Sequence, residues 1–326
     1  MSVQDSARSF LGIAKETVKG TAVAPTDFFP VALNKLKPED HIASLFDEGI
    51  RGSSVKKYGR QAGRQHSTFG LGGAVFADML GYFLAGLLGE VVTVGASAPY
   101  THTISLLNSA AVADTQPISY TITDFYAANA RAWAGQQVEE VTLTFTSDGL
   151  LEVDVKCTGW ASATASVPTP TFSTVIPVPV WQGLVTIAGG SIVNNVSGSI
   201  TLKRAAKPIF GISNTKNPFQ VFLGALEVSG KLTFIMEADT EMTRYLTDTQ
   251  PAIVFNWSQG AGAAATQVQF TMTKGAYTAA AIERGQDYVE VACTIDPLAN
   301  TTDKGTVGYS PIKFVLQNAK PSGTYV

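Results

Sequence analysis

A chain of 326 residues, 45% hydrophobic and only 15% charged, is long enough to bury a full core. Its mean hydropathy of +0.14 is high for a soluble monomer and points to apolar surface shared with a partner. A formal net charge of -3 and a pI near 5.7 exclude a protein built to grip a phosphate backbone, which needs clustered, uncompensated Lys and Arg. Two cysteines exclude a disulfide framework.

The start, "MSVQDSARSF", lacks a basic region followed by an apolar one, so no secretory signal is expected. The sequons at Asn195, Asn256 and Asn300 are then chance matches. A definite segment follows, "GIAKETVKGTAVAP" (12–25), ahead of the aromatic pair Phe28-Phe29. Next comes a basic stretch with Arg51, Lys56, Lys57, Arg60 and Arg64 and no acidic residue inside it. It reads as a long polar hairpin loop that docks on an acidic surface of another subunit, with a nucleic-acid arm as the rival reading. "AVFADMLGYFLAGLLG" (74–89) is apolar on every helical face, too short to span a bilayer and interrupted by Asp78. It predicts a helix buried all round.

The chain beyond it is expected to be mostly β. "YTHTISLL" and "SYTITDF" alternate, and "VEEVTLTFTSDGLLEVDVKCTGW" reads as two strands joined by Ser-Asp-Gly, where Asp-Gly tolerates a positive φ. Cys157 and Cys293 end "VDVKC" and "VEVAC" on their apolar sides, as buried free thiols do. The stretch 162–180 is rich in Pro, Ser and Thr and predicts a connector between a first β-domain, 1–161, and a second, 181–326. The order basic loop, strand, capped helix, strands and VxVxC recurs on either side of it. The second half carries its own basic group, Lys203, Arg204 and Lys207, and Asp239, Met242 and Leu246 echo Asp78, Met79 and Leu84. A tandem duplication is expected.

Catalytic vocabulary is scarce. His41, His66 and His102 are not spaced as metal ligands, and CxxC, HExxH and GxSxG do not occur. In "GALEVSGKLT" the spacing of Gly224 and Gly230 and the Leu232 after Lys231 break a phosphate loop. "GLGGAV" (70–75) begins like a dinucleotide fingerprint, but Val75 stands at its last small position and no βαβ unit surrounds it. Glu152 and Asp154 share one strand face, which a solvated amphipathic strand explains better than acid–base catalysis. No cofactor, metal or catalytic set is expected.

The segment at 12–25 gains meaning from its company. "AKETVKGTAVAP" followed by "FFPV", carried by Glu16, Gly20, Thr21 and Pro25, resembles the N-terminal signature of the tail tube proteins of long-tailed bacteriophages. "YTHTISLLN", "QPISYTITDF" and the hairpin ending in "VDVKCTGW" resemble that family's central block. "IKFVLQNAKPSGTY" resembles its closing strand, with Asn318 before the tail.

The resemblance implies a mainly β fold, a tail-tube β-sandwich or barrel-forming domain with a flanking helix, here duplicated in tandem. It implies a non-enzymatic virion protein, assembled in the host cytoplasm, whose rings stack into a hollow tube that passes double-stranded DNA without specific binding. Its partners would be further copies of itself, the tape measure, the terminator and the distal tail protein, and no membrane. A duplicated chain would build the ring from three copies and an unduplicated one from six. Glu152, Asp154 and Glu290 are the candidates for the lumen wall, because a bore that lets DNA slide should repel phosphate weakly. The basic groups are the candidates for contacts between rings. Two rival functions are another ring-forming tail component, such as a terminator or baseplate protein, and a carbohydrate-binding β-sandwich suggested by Tyr126, Trp133 and Trp181.

Overall fold

The computed structural model of the protein describes residues 5–108, 116–126, 129–285 and 287–326. Its first half runs β1 (Phe10–Lys15), β2 (Asp27–Phe29), β3 (Lys37–Asp47), β4 (Gly59–Ala74), α1 (Leu80–Leu88), β5 (Gly89–Val94), β6 (Tyr100–Leu106), β7 (Tyr120–Tyr126), β8 (Asn129–Thr146), β9 (Glu152–Gly159) and the short β10 (Ala163–Ala165). The second runs β11 (Gly183–Ile187), β12 (Gly190–Ile192), β13 (Asn195–Ile209), β14 (Gln220–Ile235), α2 (Thr240–Leu246), β15 (Ile253–Gln259), β16 (Thr266–Met272), β17 (Gly275–Glu283), β18 (Glu290–Pro297) and β19 (Lys313–Asn318).

These strands form two antiparallel sheets packed face to face, as the alternating sequence pattern demands. In the larger sheet the order β3-β4-β9-β8-β13-β14-β18-β17 is unbroken, with β7, β1, β2 and β10 joined to the first half of β8. The smaller sheet runs β12-β11-β15-β16-β19-β6-β5. Each sheet therefore contains strands from both halves of the chain. The core lies between them. Val141, Leu143 and Phe145 of β8, Val153, Val155 and Cys157 of β9 and Ile200 and Leu202 of β13 point inward. Phe145 meets Phe255 of the smaller sheet at 4.9 Å between ring centres.

α1 is buried at every position, as its all-round apolar sequence predicts. Its glycines let neighbours approach: a Cβ on Gly81 would lie 2.4 Å from the Tyr325 ring, and one on Gly86 2.6 Å from Tyr120. Gly89 closes the helix in the left-handed conformation, φ 94°. No helix among the described residues is long and apolar enough to cross a membrane.

The turn at Ser147-Asp148-Gly149 forms with an ordinary backbone rather than a positive φ. Gly149 donates to the Thr146 carbonyl at 3.0 Å, and the loop lengthens so that Leu151 can bury itself and donate to Val178. The Pro-rich stretch 162–180 is tied down along its length. Ala163–Ala165 adds to β8, Phe172 bridges to Phe28, and Val178 donates to Val75 at 3.1 Å.

One order of elements occurs twice. A long hairpin (β3–β4, β13–β14) leads to a helix (α1, α2), a strand pair of the smaller sheet (β5–β6, β15–β16), and a second hairpin (β8–β9, β17–β18) whose last strand pairs with the long hairpin's second strand. Both long hairpins carry a bulge with one extra residue on the second strand. In the first, Ile42 faces Gln65 and Ser44 faces Ala62; in the second, Arg204 faces Leu226 and Ala206 faces Leu223. A bulge bends and twists a hairpin, and here it sits where each arm runs on past the sheet.

Candidate assembly and lumen surfaces

Glu16 is buried at 4% exposure and accepts four hydrogen bonds. Oε2 receives Gly20 N–H at 2.7 Å and Ser119 Oγ at 2.7 Å; Oε1 receives Thr121 Oγ1 at 2.8 Å and Gly135 N–H at 2.7 Å. A carboxylate can accept at about four lone-pair sites, so this one ties the turn after β1 to β7 and β8. Gly20 takes φ 78° and lies flat against the Trp160 indole, where a Cβ would sit 1.9 Å from the ring. Thr21 closes the turn by donating to Val18 at 3.0 Å, and Pro25 packs over Gly12. These four residues act as a structural clasp inside the subunit.

The outer face of the larger sheet has the opposite character to its inner face. Across neighbouring strands the registers set Thr144 beside Ser199 and Glu152, Ser199 beside Lys231, and Lys231 beside Thr294. A parallel row reads Lys156, Glu140, Lys203, Glu227, alternating in sign from strand to strand. Lys156 reaches Glu140 at 2.5 Å and Lys203 reaches it at 4.0 Å. Glu152 and Asp154 lie on this face and share Lys35, at 2.8 and 3.1 Å. The Lys35 ammonium loses some solvation there, but hydrogen bonds to the two carboxylates prevail and hold its pKa above the ordinary lysine value. Glu290 is on the same face near the far edge, opposite Glu283. Lys35 came from a short 3-10 turn with no periodic pattern, so nothing in the sequence could pair it with a strand more than a hundred residues away.

The basic groups fall in different places from a single exposed loop. Arg51, Lys56 and Lys57 occupy the tip of the first arm, whereas Arg60 and Arg64 are within β4, because the hairpin is longer than the alternation suggested. Arg51 pairs with Asp47, Lys56 with Glu48 at 3.6 Å, and Lys57 lies 4.0 Å over the Phe46 ring. Carboxylates just ahead of the basic stretch thus answer part of its charge. Lys203 and Lys207 project from β13, not from a loop. Arg204 is buried, and its guanidinium donates to the carbonyls of Gly224 (2.8 Å), Leu87 (3.1 Å) and Leu223 (3.3 Å). It therefore cannot serve as an exposed docking residue. Its role is to anchor the second arm to the end of α1. The arms touch each other: Gln65 donates to the Lys216 carbonyl at 2.9 Å and to Asn217 at 2.8 Å, and Arg64 covers Phe210.

In the larger sheet β3 and β17 end the unbroken eight-strand order with one neighbour each; the short strands β2 and β10 end the branch beside β8. Unpaired edges invite pairing with another chain. Ile42 on β3 is 47% exposed.

Other expectations resolve simply. Both cysteines are buried free thiols; burial pushes the Cys293 thiol up to about 12 and raises Cys157 as well. Trp133 is buried, packs on Phe69 and donates to Asp40 at 3.1 Å, so it offers no platform to a sugar. The described residues contain no group of His, Cys, Asp and Glu that could hold a metal ion. Asn318, in the closing strand, donates to Ala77 O at 2.9 Å and to Tyr325 Oη at 3.0 Å, docking the C-terminal segment on the start of α1.

A family model described as phage tail tube protein matches residues 6–307. The chain belongs to that family. No curated protein matches it. As a tail tube protein it is a structural component of the phage virion, and the family implies self-assembly into a tube and contact with other tail proteins.

Proposed function

We propose that three copies of this tail tube protein close into a pseudo-sixfold ring, and that stacked rings form the hollow tail of a long-tailed phage through which double-stranded DNA passes to the host. The observation that carries the reading is the junction between β8 and β13. There, two four-stranded units of one strand order already lie edge to edge in one sheet, which supports reading 1–161 and 181–326 as a tandem duplication about the 162–180 connector. A third and further units added through β17 and β3 would continue the sheet until it closed, and closure removes both exposed edges.

The outer face of the larger sheet then lines the bore. Its hydroxyls, and lysines matched by Glu140, Glu152, Asp154 and Glu227, leave phosphates little uncompensated charge to bind, Lys231 between Ser199 and Thr294 being the exception. Glu290 adds negative charge to the same wall. The first arm's tip, with Arg51, Lys56 and Lys57, and Arg60, Arg64 and Lys207 along the arms, meet the next ring, while the tube's ends meet the tape measure, terminator and distal tail proteins.

Negative-stain electron microscopy over a concentration series, with end-on views classified by symmetry, tests this. Hollow stacked rings of threefold symmetry are expected. True sixfold rings would overturn the stoichiometry, single unstacked rings would favour a terminator-like component, and monomers throughout would overturn the assembly.

A further inference from the structure

The internal β8–β13 junction also carries a template for the contact between copies. Its register sets Val141 opposite Leu202, both fully buried, with Glu140 opposite Lys203 and Thr142 opposite Thr201 on the outer face. The equivalent positions at the free edges follow from the pairings inside each unit. On the inner side, Phe69 faces Cys157 and Pro38 in the first unit, and Leu232 faces Cys293 and Gly198 in the second. Four residues further on from Pro38 and Gly198, Ile42 and Leu202 are therefore matched. Likewise Val141 opposite Val155 matches Ile282 opposite Val291.

Resting on the ring reading above, we infer that β17 of one copy pairs antiparallel with β3 of the next in a single register: Ala281 opposite Ala43, Ile282 opposite Ile42, and Glu283 opposite His41.

The side chains agree with this register without having been used to find it. Ile282 and Ile42 stand where the internal junction has its buried Val–Leu pair, and both are β-branched apolar residues on the inner side. Ile42 is 47% exposed in the single copy and gains a partner. Just past the end of β17, Arg284 falls on the side of Asp40, an oppositely charged neighbour. A slip by one residue puts Ile282 and Ile42 on opposite faces, with Glu283 or Ala281 opposite Ile42. A slip by two sets Arg284 opposite Ile42 in one direction and, in the other, replaces the Ile–Ile pair by Ala280 opposite Ile42. Pro38, which lacks an N–H, bounds the pairing at the start of β3. The occupant of this edge is thus a second copy of the chain.

Site-directed disulfide trapping tests the register on assembled protein. Opposed residues of an antiparallel pair lie within reach of a disulfide, whereas diagonal neighbours do not. Both native cysteines are buried and stay out of the reaction. The double variant Ala43→Cys with Ala281→Cys is expected to form inter-copy dimers and trimers at least about tenfold more than Ala43→Cys with Ala279→Cys, the pair displaced by two residues. His41→Cys with Glu283→Cys is a second pair in the same register and decides the matter if the first folds poorly.

Preferential trapping of the displaced pair in particles that still form rings would overturn the register and leave the ring reading standing. Rings in which neither in-register pair traps would overturn the strand junction. Failure of the unaltered protein to form rings at any concentration would remove the reading beneath it, and this register with it.

Discussion

Replacing Glu16 tests whether the signature segment is a clasp. Glu16→Ala removes the carboxylate that accepts from two backbone donors, the buried Gly135 N–H and the part-buried Gly20 N–H, each 2.7 Å from a carboxylate oxygen. The hydroxyls of Ser119 and Thr121 can rotate to other acceptors, but the amides cannot. A fully buried orphaned donor costs about 1–3 kcal/mol and a part-buried one less, so the substitution should cost about 2–5 kcal/mol. With an unfolding entropy of about 2.1 cal/mol/K per residue, a chain of this length loses about 3–7 °C in Tm. Glu16→Gln is the sharper variant. Whichever way its amide turns, the NH2 faces one of the two backbone N–H groups, donor against donor. It should therefore fall between Glu16→Ala and the unaltered protein, despite having almost the same shape. Thermal unfolding followed by circular dichroism on dilute, unassembled protein measures both. A Glu16→Gln protein as stable as the original would refute the reasoning, because it would show that neither amide depends on the carboxylate.

Two further outcomes are expected. Combining Glu140→Gln, Glu152→Gln and Asp154→Asn leaves Lys35 and Lys156 without their carboxylate partners and Lys203 with Glu227 alone on the outer face, so tubes of this variant should retain double-stranded DNA in a filter-binding assay, with retention falling steeply between about 50 and 200 mM salt; equal retention by the unaltered tubes would contradict a sliding surface. Asp124 is buried with Oδ1 unpartnered among the described residues, and burial raises its carboxyl above the ordinary value. The folded chain therefore holds that proton more tightly than the unfolded one, and its penalty is present at neutral pH and relieved as pH falls through the raised value toward the unfolded value near about 3.9. Asp124→Asn should raise Tm at pH 7 and lose that advantage in acid; a gain that is the same at both pH values would contradict it.

Local pattern made much of the fold legible. The alternation in "VDVKC" and "VEVAC" gave two inner strands and their buried thiols, and the all-round apolar stretch gave α1, because burial there depends on residues a few positions apart. What escaped were features set by distant partners. Arg204 reads as one more basic residue, yet its place on the inner side of β13 turns it toward the α1 carbonyls. Lys35 has no pattern, and only the fold brings it to Glu152 and Asp154. Glycines and charges make the basic stretch read as a loop; the structure draws Arg60 and Arg64 into a strand, since backbone pairing with β3 does not require apolar side chains.

Covalent linkage of two units changes what ring closure has to overcome. In a ring of three such chains, half of the unit junctions, those of the β8–β13 kind, form as each chain folds and carry no loss of translational and rotational freedom. A ring of six separate units would meet that loss, about 4–15 kcal/mol per association, in five associations against two for three linked chains. The intermolecular edge can then be weaker than the internal one without loss of closure, and its composition fits this. Where β8 and β13 bury Val141 against Leu202 and set Glu140 near Lys203, β17 presents Ala279, Ala280 and Ala281, small side chains that add little apolar contact. A modest edge is useful before assembly, since a strongly apolar β17 and β3 would pair indiscriminately in the free chain. Specificity then rests on the Ile282–Ile42 pair and on Glu283 and Arg284 beside it, which the proposed register sets near His41 and Asp40.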